Sequence, residues 1–244
     1  MVRQEFPEVV LVDLPTNTGY AAGNNHGFEQ ARGEYILTLN PDTEILDDAL
    51  DTAMRKLEEN PDFGVLGARQ IDSKGRTQRS VRGFPTLFGI FGDVTRLGKL
   101  FPRSPLASYR LPGFNYEIHQ IAPQPMGTFL LFRREALCAL GSERHPFDEQ
   151  FPIFFNEVDL LYRLSRKGFP CLYSPEVRIL HHGGESTKLV RKSMIWESHR
   201  SLIRYLRKHL MTQWNLPLIL LLSGVIFAAA FVRARGYSPP WTPV

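Results

Sequence analysis

The chain has 244 residues, of which 43% are hydrophobic and 22% charged, with a formal net charge of +4. That composition excludes an intrinsically disordered chain and allows one large domain, alone or with an appendage. The two cysteines, Cys138 and Cys171, lie outside any C-x-x-C spacing, which excludes a cysteine-built zinc site and a disulfide framework. The mild positive charge leaves three partner classes open: nucleic acid, an anionic membrane, and phosphate-bearing substrates. The opening M-V-R-Q-E is too polar for a secretory leader.

In chain order, Val9-Val10-Leu11-Val12 predicts a strand, closed by Pro15. The stretch 17–42, N-T-G-Y-A-A-G-N-N-H-G-F-E-Q-A-R-G-E-Y-I-L-T-L-N-P-D, organises the rest of the chain. Asn17, Gly19, Gly23 and Asn24 read as a loop that turns sharply or approaches a ligand closely. Asn25 would cap a short helix and Gly33 would stop it. Residues 35–39 form an apolar run of strand type, and Asn40-Pro41-Asp42 breaks it, because proline cannot donate into a ladder. An Asp just past a buried strand stands where open α/β sheets bind ligands, and it equally suits a cap for the next helix.

Residues 46–60 have apolar positions at helical spacing, and Pro61 ends them. A strand is predicted over 63–68 and a small hairpin over 69–82, turned by Asp72-Ser73-Lys74-Gly75. Residues 83–125 show no clear period, as expected of a functional loop or insertion. A strand follows at 126–133, a short helix at 134–140, and a helix at 156–167 that ends at Gly168. Two short strands, 169–173 and 177–181, are divided by Ser174-Pro175. Strands alternating with helices predict an α/β architecture with a mainly parallel sheet.

Residues 188–209 carry seven Lys or Arg against one acid, Glu197, with apolar residues interleaved at helical spacing. Such a basic amphipathic helix suits either an anionic membrane surface or packing on the domain. Nucleic acid is not expected as a partner, because no nucleic-acid motif accompanies the charge. Residues 210–232 carry no charge and reach the roughly 17–25 residues needed to span a bilayer. The predicted organisation is a domain over 1–209, a membrane-anchor helix over 210–232 and a polar tail over 233–244.

Three stretches carry a resemblance. N-T-G-Y-A-A-G-N-N-H-G with its L-N-P-D strand end, F-D-E-Q-F-P-I-F-F-N-E-V-D-L-L-Y-R, and H-H-G-G-E-S together resemble family 2 glycosyltransferases, in the branch resembling bacterial rhamnosyltransferases of cell-wall and O-antigen assembly. The resemblance implies a GT-A-like fold and inverting transfer from a nucleotide-diphospho-sugar to an acceptor hydroxyl. The acceptor would be a lipid-linked saccharide at the cytoplasmic face of a bacterial membrane. The N-P-D segment would stand in for a D-x-D motif, with Asp42 holding Mg²⁺ or Mn²⁺ against the diphosphate and His181 assisting. Glu157 would be the base, with Asp159 as the alternative. Asn17, Gly19, Gly23, Asn24, Asn25, Asn40 and Gly127 would be substrate-binding positions. His182 would be solvated or behind the ligands, and Arg191 or Lys192 would add charge against the diphosphate.

The family normally opens with a V-x-I-V-x-x-Y-N strand and a later D-N-x-S-x-D, and neither appears here. The resemblance therefore implies an amino-terminally incomplete domain lacking the first strands. A catalytically inactive remnant that only binds a partner or a membrane is the competing expectation. The enzyme reading requires Asp42, Glu157 and His181 to converge on one cleft.

Overall fold

The computed structural model describes residues 1–182 and 191–237. The strands are β1 (Tyr35–Leu39), β2 (Thr43–Ile45), β3 (Val65–Ile71), β4 (Val81–Arg82), β5 (Gln120–Ile121), β6 (Gln124–Pro125), β7 (Phe129–Arg133) and β8 (Cys171–His181). The helices are α1 (Val2–Glu5), α2 (Tyr20–Gln30), α3 (Ala49–Glu59), α4 (Leu87–Val94), α5 (Leu97–Leu100), α6 (Arg134–Cys138), α7 (Asn156–Arg166), α8 (Arg191–Leu210) and α9 (Leu216–Arg233). The main sheet has the order β1-β7-β3-β8-β2, with β5 also pairing β8.

Helices cover both faces of this sheet, and strand periodicity assigns the side chains. On β7, Leu130 and Phe132 face a core shared with Phe28, Val65, Leu160 and Leu164. Their neighbours Phe129 and Leu131 face the opposite core, with Ala53, Leu57 and Ile179. A strand buried on both faces reads as a continuous apolar run, which is why F-L-L-F shows no alternation.

The sheet is mixed, not mainly parallel. Only β3 and β8 run parallel, while β7 opposes both of its neighbours. Leu39 pairs with Phe129, so β7 enters the sheet at the end where β1 leaves it. The two strands expected at 169–173 and 177–181 are one strand with a register shift where it meets Ala68 and Arg69. A bulge accommodates Pro175, which would otherwise break the ladder. The strand expected at residues 9–12 does not form. Val10 is 75% exposed, and among the described residues no strand lies beside it. A strand without a hydrogen-bonding neighbour has nothing to hold it extended.

The turn at Asp72 is present, with its carboxylate accepting from the Lys74 and Arg76 amides, but the hairpin is reduced to a single Ile71–Thr77 bridge. The illegible segment 83–125 folds into α4, α5 and short strands. It supplies Ile90 and Tyr109 to a third core with Ile203, Leu206, Leu222 and Ile226. This core joins α4, α8 and α9, so the apolar carboxyl-terminal helix is docked on the domain along one stripe. Ile219, Leu222, Ile226 and Ala230 form that buried stripe, at the i, i+3, i+7 and i+11 positions of one helix face. The opposite side stays apolar and exposed at Leu218, Leu221, Val225 and Val232.

Candidate active site

Asp42 lies three residues past the end of β1, and His181 is the last residue of β8. The β2–β8 pairing sets Thr43 opposite His181, which brings the His181 Nε2 within 3.6 Å of an Asp42 carboxylate oxygen. On its other side, the His181 ring Nδ1 lies 3.3 Å from the Gln78 Oε1, and the Gln78 amide donates to the His181 carbonyl at 3.1 Å. With Nδ1–H donating to Gln78, the Nε2 lone pair faces Asp42. The other Asp42 oxygen, Oδ1, is buried and has no hydrogen-bond partner. Two electron-rich groups facing each other across 3.6 Å, one with an orphaned oxygen, suit a shared cation.

Among the described residues no cluster of three or more His, Cys, Asp or Glu side chains stands ready to hold a metal. Asp42 and His181 thus supply two donors. A hard divalent cation would take its remaining oxygens from a diphosphate and water, as is usual for Mg²⁺ at phosphate sites. The pair fits such an ion. The expected H-H-G-G-E-S segment beyond His182, at 183–186, lies outside the described residues. His182 is an exposed partner of Glu44 at 2.6 Å, and its amide donates to the Asp42 carbonyl. Lys192 sits over the Tyr237 ring.

The same end of the sheet carries Glu157. The Asn40 amide donates to the Thr128 carbonyl at 3.0 Å, which places Gly127 and Thr128 beside the Asn40–Asp42 turn. A Cβ added to Gly127 would stand 3.3 Å from the Glu157 Cγ, so glycine there leaves room for this side chain. Tyr20, at the start of α2, donates to the Gly127 carbonyl at 3.3 Å. Burial pushes the Tyr20 phenol up to about 12, with the Glu157 charge adding to the rise. Glu157 is thus linked to the Asn40–Asp42 turn indirectly, through Gly127 and Thr128.

Glu157 opens α7 after an unusual turn: Phe154 and Phe155 both adopt left-handed backbone conformations, with φ of 62° and 60°. Such conformations cost about 1–3 kcal/mol each for bulky residues. The Ser201 hydroxyl on α8 holds the turn through the Ile153 carbonyl at 3.2 Å. Both Phe residues and Glu157 line a cavity of about 480 Å³ closed by segment 80–126, α8 and the end of α9. Desolvation there raises the Glu157 carboxyl above the ordinary range, although its own backbone amide offsets part of the rise. Burial thus outweighs the helix-end effect in setting the direction of this shift.

Asp159 is placed otherwise. It is fully buried toward α8, with Arg163 at 2.8 Å, Lys208 at 2.6 Å and His209 at 2.7 Å. Burial pushes its carboxyl up, but the His209 hydrogen bond, the Arg163 charge and Lys208 overturn that and hold it at about 2. Lys208 and His209 of α8 meet its Oδ1 and join α7 to α8, while Arg163 of α7 itself meets Oδ2.

The amino-terminal positions divide in the same way. Gly19 has a φ of 86°, and a Cβ there would meet the Pro152 carbonyl at 2.9 Å, so the position demands glycine. The Asn17 side chain accepts from the Gly19 amide and shapes this entry to α2. Gly23 and Asn24 are not in a loop; they lie on α2 and line a groove of about 290 Å³ with Gly27 and Thr38. Asn25 caps nothing, because α2 begins five residues earlier at Tyr20. Its amide group is buried, donating to the Phe147 carbonyl and Glu149 and accepting from the Phe147 amide, each at 3.0 Å. That correction removes Asn25 from the surface open to a ligand. Gln78, Tyr20, Arg82, His199 and Arg233 were not marked by the sequence as site residues. Of these only Tyr20 stood inside a recognised motif.

The structure thus combines a mixed sheet covered by helices on both faces, an Asp–His pair at one strand end, and a half-buried glutamate linked to that end through Gly127 and Thr128. The family model for glycosyl transferase family 2 matches residues 1–140, and the chain belongs to that family. It is 27% identical over 247 residues to an N-acetylglucosaminyl-diphospho-decaprenol L-rhamnosyltransferase of Mycobacterium tuberculosis, covering 95% of this chain and 78% of the relative. It is 25% identical over 227 residues to the rhamnosyltransferase WbbL of Escherichia coli, covering 88% and 81% respectively. Among solved structures, it resembles the mannosyltransferase PcManGT from Pyrobaculum calidifontis in complex with GDP-Man and Mn²⁺, with a TM-score of 0.53 at 15% identity. That likeness covers 97% of this chain and 61% of the other, and it supports the GT-A fold.

Proposed function

We propose that the chain transfers a glycosyl group from a nucleotide-diphospho-sugar to an acceptor hydroxyl with inversion, in cell-wall or O-antigen-type polysaccharide synthesis. The observation that carries this reading is Glu157, a desolvated carboxylate in a cavity, connected through Gly127 and Thr128 to the Asp42–His181 pair. Glu157 accepts the proton of the acceptor hydroxyl as that oxygen attacks the anomeric carbon. The bond from that carbon to the diphosphate oxygen breaks on the opposite side, so the configuration inverts. A base whose carboxyl titrates above the ordinary range is nearer to operating pH and takes the proton more effectively.

Asp42 and His181 would hold Mg²⁺ or Mn²⁺. When bound, the ion neutralises charge on the departing nucleoside diphosphate. Asn40 and Gly127 border this place, and the groove beside Gly23 and Asn24 offers room for the nucleotide end of the donor. Asn17 and Gly19 shape the approach. Rhamnose is the proposed sugar, because two relatives carry it in their names. A lipid-linked acceptor agrees with α9, whose 18 residues have a mean hydropathy of 2.2 and are long and apolar enough to cross a membrane. With one stripe docked on α4 and α8, α9 would meet the bilayer through its outer side.

The test is release of nucleoside diphosphate from a panel of nucleotide-sugars, with a lipid-linked saccharide acceptor and Mn²⁺. The reading expects turnover that Asp42→Ala abolishes. Unchanged turnover in that variant, or no heat of binding with any nucleotide-sugar in titration calorimetry, would reject it in favour of a remnant that only binds.

A further inference from the structure

The cavity above Glu157 is more cationic than proton transfer needs. Arg82, Arg110 and Arg233 all line it, yet Asp93 is the one acid in the lining besides Glu157. Arg110 is neutralised by Asp93 in a direct ion pair. That leaves Arg82 and Arg233 without a carboxylate partner among the described residues. Arg82 is half-buried; it stacks over the Tyr109 ring at 5.5 Å and donates to the Tyr109 hydroxyl at 3.4 Å. Arg233, in the last turn of α9, lies 3.4 Å from the Nε2 of buried His199. The His199 Nδ1–H donates to the Ile195 carbonyl at 2.6 Å, so Nε2 is the acceptor that steadies the guanidinium. Desolvation keeps this imidazole neutral, and the Arg233 charge does so further.

Two guanidinium groups held in place without counter-ions are a receptor for a multiply charged oxyanion, because each presents a planar fork of donors. The same wall carries two buried acceptors with no partner, the Ser80 hydroxyl and the Gln124 carbonyl oxygen. Those suit sugar hydroxyl or amide groups. Near Arg233, α9 offers exposed Phe231 and Val232, its outer side continues apolar through Leu221 and Leu218 toward the far end of the helix, and the neighbouring α4 offers exposed Phe88 and Phe91. The cavity thus combines a polar wall with an anion receptor, and exposed apolar residues of α9 and α4 adjoin it.

We infer that Arg82 and Arg233 clamp the diphosphate of a lipid-diphosphate-linked sugar acceptor. The sugar points inward to Ser80, Gln124 and Glu157, and the isoprenoid chain runs out along α9 and α4. This assignment rests on the proposed transferase reading and names the acceptor's chemical class and its binding residues.

The experiment is titration calorimetry of farnesyl diphosphate binding to the full chain in detergent micelles, without donor and without divalent metal. Farnesyl diphosphate is expected to bind, inorganic diphosphate more weakly and farnesol more weakly still. Arg82→Ala and Arg233→Ala should each weaken farnesyl diphosphate binding about tenfold or more. Arg82→Lys and Arg233→Lys, which keep the charge but lose the fork, should fall between wild type and alanine. Asp42→Ala should bind like wild type, which separates this subsite from the donor's. Equal affinity for farnesol, equal affinity for inorganic diphosphate, or wild-type binding in both alanine variants would overturn the assignment. If Asp42→Ala abolishes turnover while the arginine variants bind normally, the subsite fails and the transferase reading stands. If no donor turns over yet the arginine variants lose binding, the subsite stands and the transferase reading fails.

Discussion

Glu157 and Asp159 stand two residues apart on α7, about 200° around the helix from each other. One faces a cavity and has no ion-pair partner among the described residues; the other faces α8, where it meets Lys208 and His209, and pairs with Arg163 of its own helix. The first carboxyl is raised by burial, and the second is pulled down to about 2 against burial by His209, Arg163 and Lys208. Desolvation acts on both, so the difference comes from the partners each meets: an open cavity for Glu157, and for Asp159 the basic side of α8 together with Arg163 of its own helix. An unpaired, partly desolvated carboxylate suits proton transfer, whereas a triply partnered one suits holding two helices together.

The comparison breaks first at turnover. Glu157→Gln should lower kcat about 10²–10⁴-fold, the usual range for a positioned general base, and Asp159→Asn should lower it far less at temperatures where both are folded. Steady-state kinetics on the two variants decides this. Equal losses would mean that the two carboxylates act as one unit.

Stability should reverse the ranking. Removing one member of a buried ion cluster leaves uncompensated charge and costs about 3–5 kcal/mol, so Asp159→Ala should be strongly destabilised in urea or thermal melts. The pH dependence comes from the sign of each shift. Asp159 has a folded value below its ordinary 3.8, so its contribution is fully present above that pH and is lost as pH falls through about 2. The gap between wild type and Asp159→Asn should therefore close across that acid window. Glu157 has a folded value above its ordinary 4.5, so its ionisation disfavours the fold as pH rises through the folded value. Glu157→Gln should match wild type in acid and exceed it in stability at alkaline pH.

Smaller effects should come from the residues that hold each place. His181→Ala should cut turnover and raise the Mn²⁺ concentration needed for it, and Gln78→Ala, which acts through the ring of His181, should do the same to a lesser degree of about tenfold. Chelation of the metal should mimic the first variant and leave the melting curve nearly unchanged. Gly127→Ala adds a methyl group 3.3 Å from the Glu157 Cγ. It should lower kcat several-fold while lowering the unfolding free energy from urea melts by only about 1 kcal/mol, the low end of the cost of local crowding. A Gly127→Ala enzyme with unchanged kcat would show that the base is not positioned by that contact.

Much of the fold was legible where the signal was local. The apolar runs of β1 and β7 and the helical spacing of α3 and α7 arise from backbone geometry acting on near neighbours. Asp42 was legible for the same reason, since N-P-D ends a strand whatever surrounds it. Strand direction was not, because pairing Leu39 with Phe129 joins residues far apart along the chain. Nor was the fate of residues 9–12, whose β-branched run has the propensity for a strand but no neighbour among the described residues. Asn25 shows the same limit: it sits in the most ligand-like motif of the chain, yet its partners are Phe147 and Glu149, more than a hundred residues on.

By itself the sequence determined the strands β1 and β7 and the helices α3 and α7, that a carboxylate follows the first strand of the sheet, and that an acidic helix start and a histidine-terminated strand accompany it. Each of those depends on residues within a turn or two of one another. Only the tertiary structure decided which acid of N-E-V-D meets a cavity and which meets Arg163, Lys208 and His209. It also decided that His181 faces Asp42, and that Arg82 and Arg233 share the cavity of Glu157. Electrostatic environment is set by what packs opposite a side chain, and that is a property of the assembled elements.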